Sequence, residues 1–121
     1  MARIQFVDIP VVIGLTERIM VKSPNGKIHK KALARVDTGA TKSSIDTAFA
    51  ASLFLGPIID SALVKSASGS SVRPVISAKI VLRGKEIESK FTLADRKHMA
   101  YKVLIGQNIL KDNNFLIDPS R

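Results

Sequence analysis

The stretch ARVDTGATKSS, residues 34–44, sets the problem this chain poses. An alternating run, IHKKALARV at 28–36, reads as a β-strand and delivers Asp37 into Asp-Thr-Gly-Ala. Gly39 permits a backbone conformation that a side chain forbids and lets another segment approach closely. Thr38 offers a hydroxyl for a neighbouring backbone, and Ala40 keeps the approach uncrowded. An ordinary Asp-x-Gly turn, in which the aspartate bonds its own backbone, uses the same residue types. The tripeptide alone does not choose between a reactive carboxylate and a turn.

VLIGQNIL, residues 103–110, narrows the choice. It is an apolar strand, a glycine and the start of a short helix, and Gly106 leaves room for a segment to thread past beside the Asp37 turn. In this order the two stretches resemble the retropepsin family of aspartic proteases, where an apolar-apolar-Gly-Arg-Asn segment buttresses the catalytic turn. Gln107 stands where retroviral members commonly carry arginine. Three further features extend the resemblance: Ser43-Ser44 after the turn, Arg73-Pro74-Val75, and DRKHMAYKVLIG at 95–106. Together they look like the cellular, retropepsin-like family that goes by the name of ATP-dependent zinc proteases. That family is often encoded near the ATP-grasp ligase that adds glutamates to a ribosomal protein. The likeness runs from about Val11 to Asp118. Its most specific part is Arg-x-x-Met-x-Tyr before Leu-Ile-Gly, with Lys102 where the family usually has proline.

The resemblance implies a mainly β, retropepsin-like acid-protease fold: a closed β-barrel with one or two short helices, filling residues 1–121 as one domain. It makes Asp37, Thr38 and Gly39 the catalytic turn, with Ala40 beside it in the substrate cleft. It makes Ser68 and Gly69 the tip of a flap, and Arg73 and Arg96 cleft residues able to pair with acidic groups of a substrate. A solvated surface arginine and an ordinary exposed hairpin are the plain alternatives. Ser43 and Ser44 cap or line the turn.

The remaining pattern fits many short strands. Residues 4–7 and 10–15 are short apolar runs. Residues 18–22 and 27–36 flank Ser-Pro-Asn-Gly and read as a β-hairpin with its tip at Asn25-Gly26. IDTAFAASLFL suits one short helix capped by Asp46 or Thr47 and ended by Pro57. Residues 63–65 and 72–82 read as strands around the small, polar run 66–71. Arg83-Gly84-Lys85 is a turn. Residues 86–93 alternate, with Ile87, Phe91 and Leu93 on one side and Thr92 on the other. Residues 95–100 form a polar loop, 101–105 a strand, 108–113 a short helix and 115–117 a last strand.

Aspartic proteolysis needs two carboxylates sharing one proton, and this chain holds one Asp-Thr-Gly. A chain of 121 residues is too short for two lobes. The expectation is a homodimer with Asp37 and its copy on the two-fold axis, Thr38 and Gly39 facing their own copies.

Composition restricts the alternatives. No cysteine is present, which removes thiolate chemistry, disulfides and cysteine-zinc sites. There is no His-Glu-x-x-His, and His29 and His98 are the only histidines, so no zinc or other cofactor is expected. No phosphate-binding Gly-x-x-x-x-Gly-Lys loop is present, so any ATP use belongs to a partner such as the ATP-grasp ligase. The net charge is +9, which attracts polyanions or acidic proteins or serves solubility alone; an acidic or glutamate-tailed peptide or protein substrate is what the resemblance implies. Five phenylalanines, one tyrosine and no tryptophan make no base-stacking platform, so nucleic acid is not an expected partner. The apolar opening is broken by Asp8, Pro10, Glu17 and Arg18 and lacks a cleavage pattern, and no run reaches roughly 18 apolar residues. A soluble, cytoplasmic protein with no membrane contact is expected. Three functions follow: a homodimeric aspartic peptidase, the same fold as a non-catalytic peptide- or partner-binding module, and a metal-dependent hydrolase, which only the family's name suggests.

Overall fold

A computed structural model describes residues 9–67 and 69–121. The strand expected at 4–7 and the flap residue Ser68 lie outside the described residues. The elements are β1 (Val11–Ile13), β2 (Thr16–Lys22), β3 (His29–Val36), β4 (Ser43–Asp46), α1 (Thr47–Ser52), β5 (Asp60–Ser66), β6 (Gly69–Leu82), β7 (Lys85–Ala94), β8 (Val103–Ile105), α2 (Gln107–Asp112) and β9 (Phe115–Ile117).

Alternation decides the first hairpin. Ile19 and Val21 on β2 and Ala32, Ala34 and Val36 on β3 point inward, while Arg18, Lys31, Arg35 and the apolar Leu33 between them stay outside. The register pairs Lys22 with His29. Between them Gly26 takes φ 73°, and the Asn25 side chain accepts from Ser23 Oγ at 2.7 Å and Lys27 N–H at 2.9 Å. The predicted tip at Asn25-Gly26 is where the chain turns. At the other end, Glu17 faces inward and is satisfied by Gly14 N–H at 2.8 Å and Arg83 Nε at 2.8 Å. A buried carboxylate without such partners would cost several kcal/mol.

Six strands close into a barrel in the order β2-β3-β8-β4-β7-β6, and Met20–Lys22 of β2 pair back onto Lys79–Val81 of β6. The β3–β8 and β4–β7 pairings are parallel and long-range, and β8–β4 is antiparallel. This is the mainly β, closed barrel with two short helices that the sequence implies. Its interior is filled by Ile13, Val21, Ile45, Ile80, Leu82, Phe91, Val103, Ile105 and Ile109, each with no exposed surface. Each such side chain contributes about 1.5–3 kcal/mol. A separate parallel pair, β1 with β9, lies beside the barrel. No helix among the described residues is long and apolar enough to cross a membrane.

Three local expectations need correction. The hairpin tip read over 66–71 is shorter than that: β5 and β6 stay paired up to Ser66 opposite Gly69, with Val64 opposite Ser71 and Lys65 opposite Ser70. Small polar residues make ladder bonds as well as apolar ones; they lack only the apolar pattern by which strands are recognised. The second turn is tighter than three residues, because Leu82 pairs with Lys85 and only Arg83 (φ 50°) and Gly84 (φ 75°) turn, as a hairpin with positive φ at both central positions requires. Finally, Thr92 breaks the alternation of β7. It is 3% exposed and its hydroxyl donates to the Ser43 carbonyl at 3.3 Å, so a polar residue sits inside because it has a partner there.

Candidate active site

The Asp37 turn begins where β3 ends. Asp37 N–H donates to the Ile105 carbonyl at 2.9 Å, continuing the β3–β8 ladder by one bond, and Ala40 N–H closes the turn on the Asp37 carbonyl at 3.3 Å. Asp37 Oδ1 accepts from Gly39 N–H at 2.9 Å. That bond belongs equally to an ordinary Asp-x-Gly turn. What singles this turn out is its support. Gln107 N–H donates to the Ala40 carbonyl at 2.8 Å, and Gln107 Nε2 donates to the Thr38 carbonyl at 2.8 Å. Gly106 N–H donates to Ser43 Oγ at 2.9 Å, and Ser43 Oγ donates to Asn108 Oδ1 at 2.7 Å. The segment Gly106–Asn108 thus holds both ends of the turn.

Gly106 is required by space, not by conformation. Its φ of −101° and ψ of −172° suit any residue. A Cβ there would lie 2.9 Å from the Ala40 oxygen and 2.6 Å from the Lys42 carbonyl carbon, and closer still to the Lys42 oxygen. The predicted close threading past Gly106 is present. The conformational argument for Gly39 is not. Among the glycines, left-handed φ occurs at Gly26, Gly56, Gly69 and Gly84 but not at Gly39. A Cβ on Gly39 would meet Asp37 Oδ1 at 3.3 Å, a tight contact.

A cleft of about 590 Å³ opens over the turn. It brings together Asp37, Gly39, Ala40, Arg73 and Arg96 of the expected site. Thr38 is exposed beside it without lining it. Gly69 lies beyond the cleft lining, at the tip of the β5–β6 hairpin, at φ 125° with open space around its Cα. The outer half of that hairpin pairs only with itself, and its Leu63, Val64, Lys65 and Arg73 form one wall of the cleft.

Arg96 is not a free surface arginine. It is 9% exposed, its Nε donates to the Tyr101 carbonyl at 2.9 Å, and its backbone N–H donates to Asp46 Oδ1 at 2.7 Å. Burial lowers its pKa, the nearby Arg73 charge lowers it further, and Asp46 works the other way; it remains a cation at any ordinary pH. Asp46 caps α1 through Phe49 N–H at 3.0 Å, as the sequence suggested. Burial raises its carboxyl, but the backbone donors of Arg96, Phe49 and Ala48 and the charge of Lys102 outweigh that and hold it below its ordinary value. Lys102, where the family's proline was expected, donates to the Lys97 carbonyl at 2.7 Å and the Arg96 carbonyl at 3.3 Å, tying down the loop that carries Arg96.

Sequence reasoning missed Lys42 and Lys65. Both line the cleft, so Asp37 faces four cations there and is the one acidic side chain among the lining residues. Lys42 follows Asp-Thr-Gly-Ala-Thr directly, which was a usable signal; Lys65 gave none. Gln107 was noticed as a departure, not as a support. A zinc ion does not fit the residues present: among the described residues no three His, Asp or Glu side chains converge. His29 Nε2 is engaged with the Gly26 carbonyl at 2.9 Å in the first hairpin.

Solved structures share this fold. The chain is similar to protein Lpg0085 (DUF785), of unknown function, from Legionella pneumophila subsp. pneumophila str. Philadelphia 1. The TM-score is 0.61 at 22% identity, covering 92% of this chain and 95% of that one. It is similar to EIAV protease complexed with the inhibitor HBY-793, with TM-score 0.66, 20% identity and 85% and 90% coverage. It is also similar to the protease of simian foamy virus (mac), with TM-score 0.56, 18% identity and 79% and 91% coverage. No curated protein matches. A family model described as RimB-like, retropepsin-like aspartic endopeptidase RimB, matches residues 50–121. That segment holds the β5–β6 hairpin, Arg96 and the Gly106 support, and begins after the Asp37 turn. With more than half its length matched, the chain belongs to the RimB-like family of retropepsin-like aspartic endopeptidases.

Proposed function

We propose that this protein is a homodimeric aspartic endopeptidase whose reactive group is the pair of Asp37 carboxylates, one from each chain. The observation that carries the reading is the turn's support: Asp37-Thr38-Gly39 is held through both ends by Gly106–Asn108 at the floor of a cleft walled by a projecting hairpin. A rigid carboxylate in an open cleft is what a general base requires. Two carboxylates close together cannot both be ionised, so the pair holds one proton. The charged member takes a proton from water as its oxygen attacks the scissile carbonyl. The protonated member gives its proton to the carbonyl oxygen. Proton return to the amide nitrogen then releases the two peptide ends. Thr38 and Gly39 pack against their copies across the two-fold axis, and the hairpin with Gly69 at its tip closes over an extended substrate strand.

The substrate is an acidic peptide, such as a glutamate-rich tail. Lys42, Lys65, Arg73 and Arg96 line the cleft with Asp37 as their one acidic companion there. Arg96 sits close enough to Arg73 to feel its charge, which a substrate carboxylate between them relieves. The same cations support a second reading, a module that binds acidic peptides without cutting them. No step draws on zinc or ATP.

The test is solution mass together with cleavage of a glutamate-rich and a generic peptide library, with and without chelator, by wild type and Asp37→Asn. A dimer that prefers acidic peptides, ignores the chelator and loses cleavage in the variant is expected. Retained binding without cleavage in the wild type selects the module. A monomer, or cleavage unchanged by Asp37→Asn, refutes the aspartic mechanism.

A further inference from the structure

The charge of this chain is not spread evenly. Residues 16–36, the β2–β3 hairpin, carry six of the 19 basic residues against a single acidic one, Glu17. Glu17 is turned inward and occupied by Gly14 and Arg83. The outer face of the hairpin is therefore cationic, and the structure gives it a shape. A groove of about 820 Å³ runs along it and shares no lining residue with the Asp37 cleft.

The pattern inside the groove is specific. Leu33 on β3 is 43% exposed. Arg18 lies directly opposite it in the β2–β3 register. Lys31 lies two residues along β3 on the same face, about 6.8 Å away. Neither Arg18 nor Lys31 makes an ion pair with a described residue. Met20 and Val81, also opposite one another, extend the apolar floor from Leu33 toward β6. Arg83 is neutralised by Glu17, and Arg121 sends its guanidinium to the Val12 carbonyl at 3.4 Å. Among the described residues lining the groove, Arg18 and Lys31 are thus the cations with neither an ion pair nor a side-chain hydrogen bond, and they flank the exposed leucine.

We infer that this groove is a docking surface for a partner protein, and that the docked element is an acidic segment carrying an apolar side chain between carboxylates. Charge alone would suit a nucleic acid equally, but the floor would not: phosphates gain nothing from Leu33, Met20 and Val81, and no aromatic side chain lines the groove for a base to stack on. An extended segment with Glu-x-Leu-x-Glu on one face matches both features. Its same-face side chains repeat at about 6.8 Å, the spacing of Lys31 and Leu33. The surface stands apart from the cleft, so a partner held here leaves the cleft free.

The test uses the full chain as Asp37→Asn, so that a probe is not cut during measurement. The probes are fluorescein-labelled peptides with a repeating Glu-Ser-Leu-Ser pattern, the same peptide with each Leu replaced by Ser, and a 16-base-pair RNA duplex. The Glu-Ser-Leu-Ser probe is expected to bind tightest and to weaken with salt. Removing its leucines is expected to cost about threefold or more. Arg18→Ser with Lys31→Ser is expected to cost about tenfold, and to cost the same in an Arg73→Ala background, where binding of the acidic probe in the cleft is weakened. The proposal is overturned if the leucine-free probe binds as well, if the double variant binds as the parent does, if its cost disappears in the Arg73→Ala background, or if the RNA duplex binds more tightly than the peptide.

Discussion

Replacing Gly106 by alanine adds one methyl group at the most crowded point of the candidate active site. The backbone there, φ −101° and ψ −172°, costs alanine nothing. If space allowed, Gly→Ala would stabilise by about 0.4–1 kcal/mol, because it restricts the unfolded chain. Space does not allow it. The new Cβ would sit 2.6 Å from the Lys42 carbonyl carbon and 2.9 Å from the Ala40 oxygen, where 3.4–4 Å is ordinary contact. The turn must retreat by roughly 1 Å, and overpacking of this kind costs about 1–3 kcal/mol. The retreat also stretches the 2.8 Å bond from Gln107 N–H to the Ala40 carbonyl, which adds about 1 kcal/mol. A net loss of about 2–4 kcal/mol lowers Tm by roughly 10 °C in a chain of this size. Because the retreat moves Asp37, cleavage of an acidic peptide falls by about 100-fold in kcat. Urea denaturation and steady-state kinetics on the same preparation read both numbers. A variant as stable as its parent, or more stable, with unchanged kcat, refutes the claim that this approach holds the turn. Gly26→Ala is the control: it is strained by a φ of 73° but has nothing within 4 Å, so it costs stability without touching kcat.

Three other changes probe the rest of the site. Asp46→Ala strips the cap of α1 and the acceptor for Arg96 N–H, and is expected to cost about 2–4 kcal/mol by urea denaturation. Since the Asp46 carboxyl lies below its ordinary value of 3.8 in the fold, its contribution is complete at neutral pH and fades as pH falls below about 4; Asp46→Asn should flatten that acid limb of the stability curve, and an unaltered limb assigns it to other groups. Gln107→Ala removes the donor to the Thr38 carbonyl; a stability loss near 1 kcal/mol with a larger fall in kcat than rise in KM is expected, and a pure KM effect would deny it a part in holding the turn. Arg73→Ser should raise KM for glutamate-rich peptides by about tenfold or more while sparing neutral ones, and an equal effect on both would remove it from acidic recognition.

How much of this was legible depended on how local the information is. The β2–β3 hairpin was legible to within two residues at its strand ends, because its alternation and its turn lie within one continuous stretch, 16–36. β4 was not. Ser43–Asp46 is buried at every position, yet its residues read as the end of the Asp37 turn and the start of the following helix, since its parallel partner β7 and antiparallel partner β8 both come from distant sequence and leave no turn to read. Thr92 misled for a related reason: its partner, the Ser43 carbonyl, is far away in the chain. The site followed the same rule. Asp37 and Gly106 are visible as a turn after a strand and a glycine after two aliphatics. That Gln107 holds Thr38, or that Lys65 lines the same cleft as Asp37, follows only once the barrel has closed.

The placement of the supports separates two tasks that the cleft combines. The Asp37 turn is held from below by β8 and the first residues of α2, with its own polar atoms directed into that support. The cations that would select an acidic substrate come from elsewhere: Lys65 and Arg73 from the projecting hairpin, Lys42 from the segment after the turn, and Arg96 from the loop that Asp46 and Lys102 tie down. Only Lys42 belongs to both groups, because its carbonyl packs on Gly106 while its side chain lines the cleft. Changes to the hairpin or the Arg96 loop can therefore alter which peptide is held while leaving the carboxylate in place. Changes at 105–108 disturb the carboxylate whatever the peptide. Pairs drawn one from each group, such as Arg73→Ser with Gln107→Ala, share no hydrogen bond or ion pair among the described residues and should add in free energy to within about 0.5 kcal/mol. A larger coupling would mean that the hairpin and the turn move together, and that the two tasks are not separate.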